Sequence, residues 1–139
     1  MKISIGHWIF IGGIAHLLLA LGSLSIPRLL SWKSNLTKIP MLFRQMFWVY
    51  AAYTLMTNVF FGIISVADAS GLVNHSTLST MLTGFIAAYW IARIFIQFFY
   101  FDKTETPKGF IYLSGEIMLN ILFIFLSLVY GYAFIINIP

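Results

Sequence analysis

The chain contains no cysteine. That excludes disulfides, thiolate zinc sites, iron–sulfur clusters and cysteine nucleophiles, and it leaves the redox compartment unread. Charge is almost as scarce. Only 9% of the residues are Asp, Glu, Lys or Arg, against about a quarter in an ordinary soluble domain. A chain so poor in charge cannot cover a water-facing surface. Proline is absent from every long apolar stretch. There is no HExxH pair, no set of histidine boxes, no nucleophile elbow and no glycine-rich phosphate loop.

What is present is apolar and aromatic. Of the 139 residues, 60% are hydrophobic and 18% aromatic. The length predicts a single domain over 1–139. About 20 mostly apolar residues cross a bilayer as a helix. Four stretches qualify, at 5–26, 43–67, 78–101 and 110–136. The expected fold is therefore an all-α integral membrane protein, a four-helix transmembrane bundle. Lys2 followed by an apolar run resembles a secretory signal. The run is long and no small-x-small cleavage site follows, so it reads as a retained first span.

Basic residues set the expected orientation. Loop 1, at 27–42, carries Arg28, Lys33 and Lys38, with Arg44 just inside the next span. Loop 2, at 68–77, has no Lys or Arg. The positive-inside rule puts loops 27–42 and 102–109 in the cytoplasm and both termini outside, in a plasma or inner membrane. Lys2 opposes this with a single charge. Arg28-Leu-Leu-Ser-Trp-Lys reads as a short interfacial helix with Trp32 at headgroup depth. The net charge of +4 is a topology signal and not a nucleic-acid footprint.

Ionisable residues inside spans mark where function is sought. At about 1.5 Å per residue, Arg93 lies roughly 12 Å and Glu116 roughly 10 Å from the loop-1 side. A short loop makes spans three and four antiparallel neighbours, so an Arg93–Glu116 ion pair is expected. His16, Tyr53 and Asn120 fall near the midplane, roughly 16 Å in. Arg93 with Gln97, and Glu116 with Asn120, are spaced i,i+4 and each line one stripe. The expected ligand-binding set is His16, Tyr53, Arg93, Gln97, Glu116 and Asn120. The bland alternative is a snorkelling arginine and polar interhelical glue.

His7 and His16 are nine apart and fall on opposite faces of a helix. They share no ligand site, and a metal site of His7, His75 and Asp68 would need all three to converge. No metal and no cofactor is assigned. A buried glutamate near arginine could serve as a base with His16 or Tyr53 as its proton partner, but nothing here demands catalysis. Arg28, Lys33, Lys38 and Arg44 form a basic collar suited to anionic headgroups. Gly12, Gly13, Gly62 and Gly84 are close-packing devices. No family resemblance is carried by these residues. The first span lacks the glutamate of small multidrug transporters.

Three functions remain open at this stage. The first is binding, with or without modification, of a lipid-like or isoprenoid-like amphiphile. The second is a small proton-coupled transporter, which the absence of broken-helix patterns counts against. The third is a structural subunit of a larger membrane complex. The expected partners are membrane lipids, no nucleic acid, and either a second copy of the chain or other membrane proteins.

Overall fold

The computed structural model describes residues 5–100 and 109–138. It is all-helical, with four helices long and apolar enough to cross a membrane. Helix α1 is Ile5–Ser23, α4 is Met41–Ala67, α5 is Thr77–Phe95 and α6 is Phe110–Asn137. Two short helices, α2 (Ile26–Leu29) and α3 (Trp32–Leu36), fill loop 1. A 3₁₀ turn, Ser70–Val73, lies in loop 2, and a π-helical turn, Ile96–Tyr100, follows α5. Most of loop 3, including Asp102, Glu105 and Lys108, lies outside the described residues, as does Lys2.

Burial is distributed as a membrane solvent requires. Phe110, Phe99 and Leu78 are 84%, 82% and 75% exposed, whereas His16, Ser65, Thr83 and Asn137 are each 0% exposed. Apolar side chains face outward because lipid is as apolar as they are. Polar side chains turn inward because the hydrocarbon offers them no hydrogen bonds.

Local chemistry sets the helix ends. Pro27, which follows the first apolar stretch directly, sits in the first turn of α2, where its missing N–H costs nothing. The helix has already ended at Ser23. There the Ser23 hydroxyl bonds back to the Ala20 carbonyl at 2.7 Å, and that of Ser25 to the Gly22 carbonyl at 2.6 Å. The expected interfacial helix is two short ones, because Ser31 takes a left-handed conformation (φ 54°) between them. The Ser76 side chain caps α5 by accepting from the Ser79 N–H at 3.1 Å.

Two helix pairs carry most of the packing, α1 with α4 and α5 with α6, and α1 also meets α6. Glycine makes the first pair possible. A Cβ on Gly13 would lie 2.8 Å from the Ser65 Cβ and 3.0 Å from the Gly62 carbonyl oxygen. One on Gly62 would lie 3.0 Å from the Gly13 carbonyl oxygen. The two backbones touch because neither residue has a side chain.

The loop-2 end is closed by Asn137. Its amide donates to the Leu72 carbonyl at 2.7 Å and to the Thr83 hydroxyl at 3.3 Å, and its oxygen accepts from the His75 N–H at 3.1 Å. Gly13→Ala therefore lowers thermal stability in detergent by about 1–3 kcal/mol, an overpacking cost. Gly22, with open space around its Cβ direction, tolerates alanine with no loss. Equal melting temperatures for the two variants would contradict the backbone contact.

Candidate functional site

His16 is the centre of the polar interior. Its Nδ1 lies 2.9 Å from the Gly12 carbonyl oxygen. A carbonyl only accepts, so Nδ1 carries the proton. Its Nε2 lies 2.8 Å from Trp90 Nε1. An indole N–H only donates, so Nε2 is unprotonated. The two partners together fix a neutral imidazole of one tautomer. Its ring touches the other three spans, with centroids 5.6 Å from Phe61 on α4, 5.4 Å from Trp90 on α5 and 5.4 Å from Tyr130 on α6. The Tyr130 hydroxyl lies 2.6 Å from the Ser65 hydroxyl. Gly12 makes room for it, since a Cβ there would lie 3.2 Å from the Tyr130 ring.

Below this hub, toward loop 1, lies the charged part of the site. Arg93 is half-buried on α5, one turn from Trp90. Its guanidinium sits 5.0 Å from the Phe123 ring centroid and donates to Gln97 Oε1 at 3.3 Å. Phe123 in turn stacks on Trp90 at 5.2 Å. A cation over an aromatic face, in a place shielded from water, is a favourable arrangement. The π-turn begins three residues after Arg93 and contains Gln97. Single π-turns in helices frequently accompany functional sites.

Of the six expected ligand-binding residues, the structure brings His16, Arg93, Gln97, Glu116 and Asn120 to inward or half-buried positions. Tyr53 stands on the exposed face of α4 and joins no member of the group. Arg93 and Glu116 form no salt bridge with each other among the described residues; Arg93 is held by Gln97 and Phe123. Each of the two has further interactions of its own.

Two residues belong with the site although they are not in the expected ligand-binding set. Asn58 on α4 is buried with no hydrogen-bond partner for its amide oxygen, and the Asn120 amide oxygen is in the same condition. Asn58 shares its helix face with Phe61, Gly62 and Ser65, at i+3, i+4 and i+7, all of them buried. A polar residue at core spacing within an apolar span was the available signal. Trp90 is the other; its indole N–H marks it as a residue that needs an acceptor when buried.

The basic collar divides in two. Arg28 and Lys33 line a hollow of about 470 Å³ with Pro27, Ser31, Ser34 and Trp48. Lys38 is exposed outside it, and Arg44 is half-buried at the start of α4. Among the described residues, no three His, Asp or Glu side chains gather as metal ligands. Asp68 instead accepts from the Gly71 N–H at 3.1 Å and the Ser70 hydroxyl at 3.4 Å, closing the 3₁₀ turn.

The chain matches no protein-family model, no curated protein and no solved structure.

Trp90→Phe keeps the ring but removes the donor, and leaves the buried Nε2 of His16 without a partner. Its cost is about 1–3 kcal/mol. Tyr130→Phe costs about 0.6 kcal/mol, typical of a single interhelical bond in a membrane protein. Melting in detergent ranks the two. Imidazole ¹⁵N shifts of the wild type report the Nδ1-protonated neutral form; an imidazolium signal would overturn the bond assignment.

Proposed function

We propose that this integral membrane protein binds a lipid-like or isoprenoid-like amphiphile. The polar group of the ligand is held in the half of the bundle between His16 and loop 1. The observation that supports this reading is the Asn58 amide oxygen, in a side chain only 7% exposed, with no hydrogen-bond partner. Leaving a buried polar atom unsatisfied costs about 1–3 kcal/mol, and more is at stake in hydrocarbon. The Asn120 oxygen repeats the pattern on α6. Both are acceptors, and Arg93 supplies donors on the same side of the hub. A headgroup that donates and accepts, such as a hydroxyl-bearing one, satisfies that combination. An apolar tail lies among the lipid-facing aromatic side chains.

Orientation follows from charge. With loop 1 in the cytoplasm, as its basic residues favour, the ligand is reached from the cytoplasmic leaflet of a plasma or inner membrane. Arg93 and Glu116 then act on the headgroup in concert, linked through it rather than by direct contact.

One observation favours the subunit alternative. An apolar groove of about 900 Å³ runs along the outer face of α5 and α6, past Gly84, Ala88, Ser127 and Gly131. Small residues on a lipid-facing groove suit a second helix.

Native mass spectrometry of the gently extracted protein, with accurate mass of what stays bound, separates these readings. The expected result is a discrete small molecule that is retained by the wild type and lost in both Asn58→Leu and Arg93→Ala. Asn58→Leu keeps the side-chain volume, so its melting temperature is unchanged or higher while the ligand is absent. A bare wild-type chain sinks the binding reading. Co-purifying proteins replace it with the subunit role.

A further inference from the structure

We infer that the hollow between α2, α3 and α4 is a seat for a net-negative phosphate headgroup. The inference goes beyond the amphiphile reading to a second site at the membrane surface, and it uses none of the residues on which that reading rests. Arg28 and Lys33 line the hollow together with the hydroxyl-bearing Ser31 and Ser34. The chain places no acidic residue before Asp68. Neither cation has a side-chain hydrogen bond or an ion pair among the described residues. Two cations on one concave surface repel each other, and an anion bound between them removes that repulsion.

The wall of the hollow fixes its depth in the membrane. Trp48 closes one side. It lies 5.7 Å from Trp32, which packs on Phe47 at 4.8 Å. Tryptophan clusters of this kind sit at headgroup level, with apolar bodies in the hydrocarbon and polar edges in water. Arg44 stands one turn before Trp48 on α4, outside the hollow, and adds positive charge on the same side of the bundle. The positive-inside rule accounts for the sign of these charges. It does not account for the convergence of Arg28 and Lys33 on a concavity with two hydroxyls and an indole. Ser31 helps to produce the convergence. Its left-handed backbone turns the chain between α2 and α3, so that residues on either side of it face the same space.

A phosphate group could reach this seat on a lipid or as a free ester, and one series of measurements tells them apart. The full-length protein is purified in neutral detergent. It is then given phosphatidylglycerol or phosphatidylcholine, and retained lipid is counted by native mass spectrometry. The wild type should retain phosphatidylglycerol in preference. Each basic side chain near an anionic headgroup is worth about fivefold, so Arg28→Gln/Lys33→Gln should reduce the preference about twenty-five-fold. Both side chains are exposed, so the double variant folds, and its melting curve checks this. Lys38→Gln, outside the hollow, should leave the preference intact. Glycerol 1-phosphate is added as a competitor. Displacement of the lipid at millimolar concentration identifies a seat for free phosphate esters; no displacement identifies one that also needs acyl chains. A wild type without preference, or a double variant that keeps it, overturns the inference. Arg93→Ala in the same series reports on the intramembrane ligand alone, so failure of one reading is visible apart from failure of the other.

Discussion

The bond from the Trp90 indole to His16 Nε2, 2.8 Å long, is the contact on which the bundle's geometry turns. In lipid no hydrophobic force drives one apolar helix against another, so packing and polar contacts must set the register. His16 does so for all four spans at once. Its protonated nitrogen is used within α1 and its bare nitrogen on α5, while its ring edge and face meet Phe61 and Tyr130. The glycines serve the same point. Gly12 admits the Tyr130 ring, and Gly13 against Gly62 brings α4 close enough for Ser65 to reach the Tyr130 hydroxyl.

The two halves of the bundle then differ in a way that matters for function. Toward loop 2 the buried polar groups are satisfied: Asn137 alone engages Leu72, Thr83 and His75, and Thr83 also donates to Ser79 at 2.7 Å. Toward loop 1 lie the buried polar atoms with no partner, on Asn58, Asn120 and Arg44. Unsatisfied buried groups are rare in native structures and call for an explanation. Arg44 stands at the loop-1 end of α4, Asn120 lies on the loop-1 side of Phe123 on α6, and Asn58 lies one turn from Phe61 near the middle of the bundle. Hydrogen bonds tie the helices together at the loop-2 end, while from mid-bundle toward loop 1 some buried polar atoms are left without them.

Much of the fold was legible in the sequence because membrane solvent imposes a simple rule on length and polarity. The four spans appear close to their expected bounds, since about 20 apolar residues have only one good use. Loop 1 was less legible. Whether Pro27 stops a helix or starts one depends on whether the preceding turn has already ended, and the Ser23 and Ser25 back-bonds decide that. The interior was read in part. Position along a helix follows from counting, which brings His16 and Arg93 inside their spans. Rotation about the helix axis does not follow from counting. Tyr53 has the depth of a lining residue but the wrong azimuth, and it faces outward. Asn58 has the right azimuth but stands among large apolar neighbours that hide its role. Trp90 lies on the Arg93 stripe by spacing, but that its indole donates to His16 Nε2 depends on how α5 meets α1.

The commitment of both His16 nitrogens bears on what chemistry this interior can do. A general acid or base needs a nitrogen that can exchange its proton with a substrate. Here Nδ1 is bonded to Gly12 and Nε2 to Trp90. A substrate would have to displace the indole to use Nε2, and would break the contact that sets the helix register. Tyr53 faces away from the centre. Proton transfer through either residue is therefore disfavoured by the same geometry that builds the bundle. On the loop-1 side of the hub the inward or half-buried groups include the Arg93 guanidinium, the Gln97 and Asn120 amides and Glu116. The hub therefore acts as a structural joint between the four spans, held by the same two bonds that occupy its nitrogens.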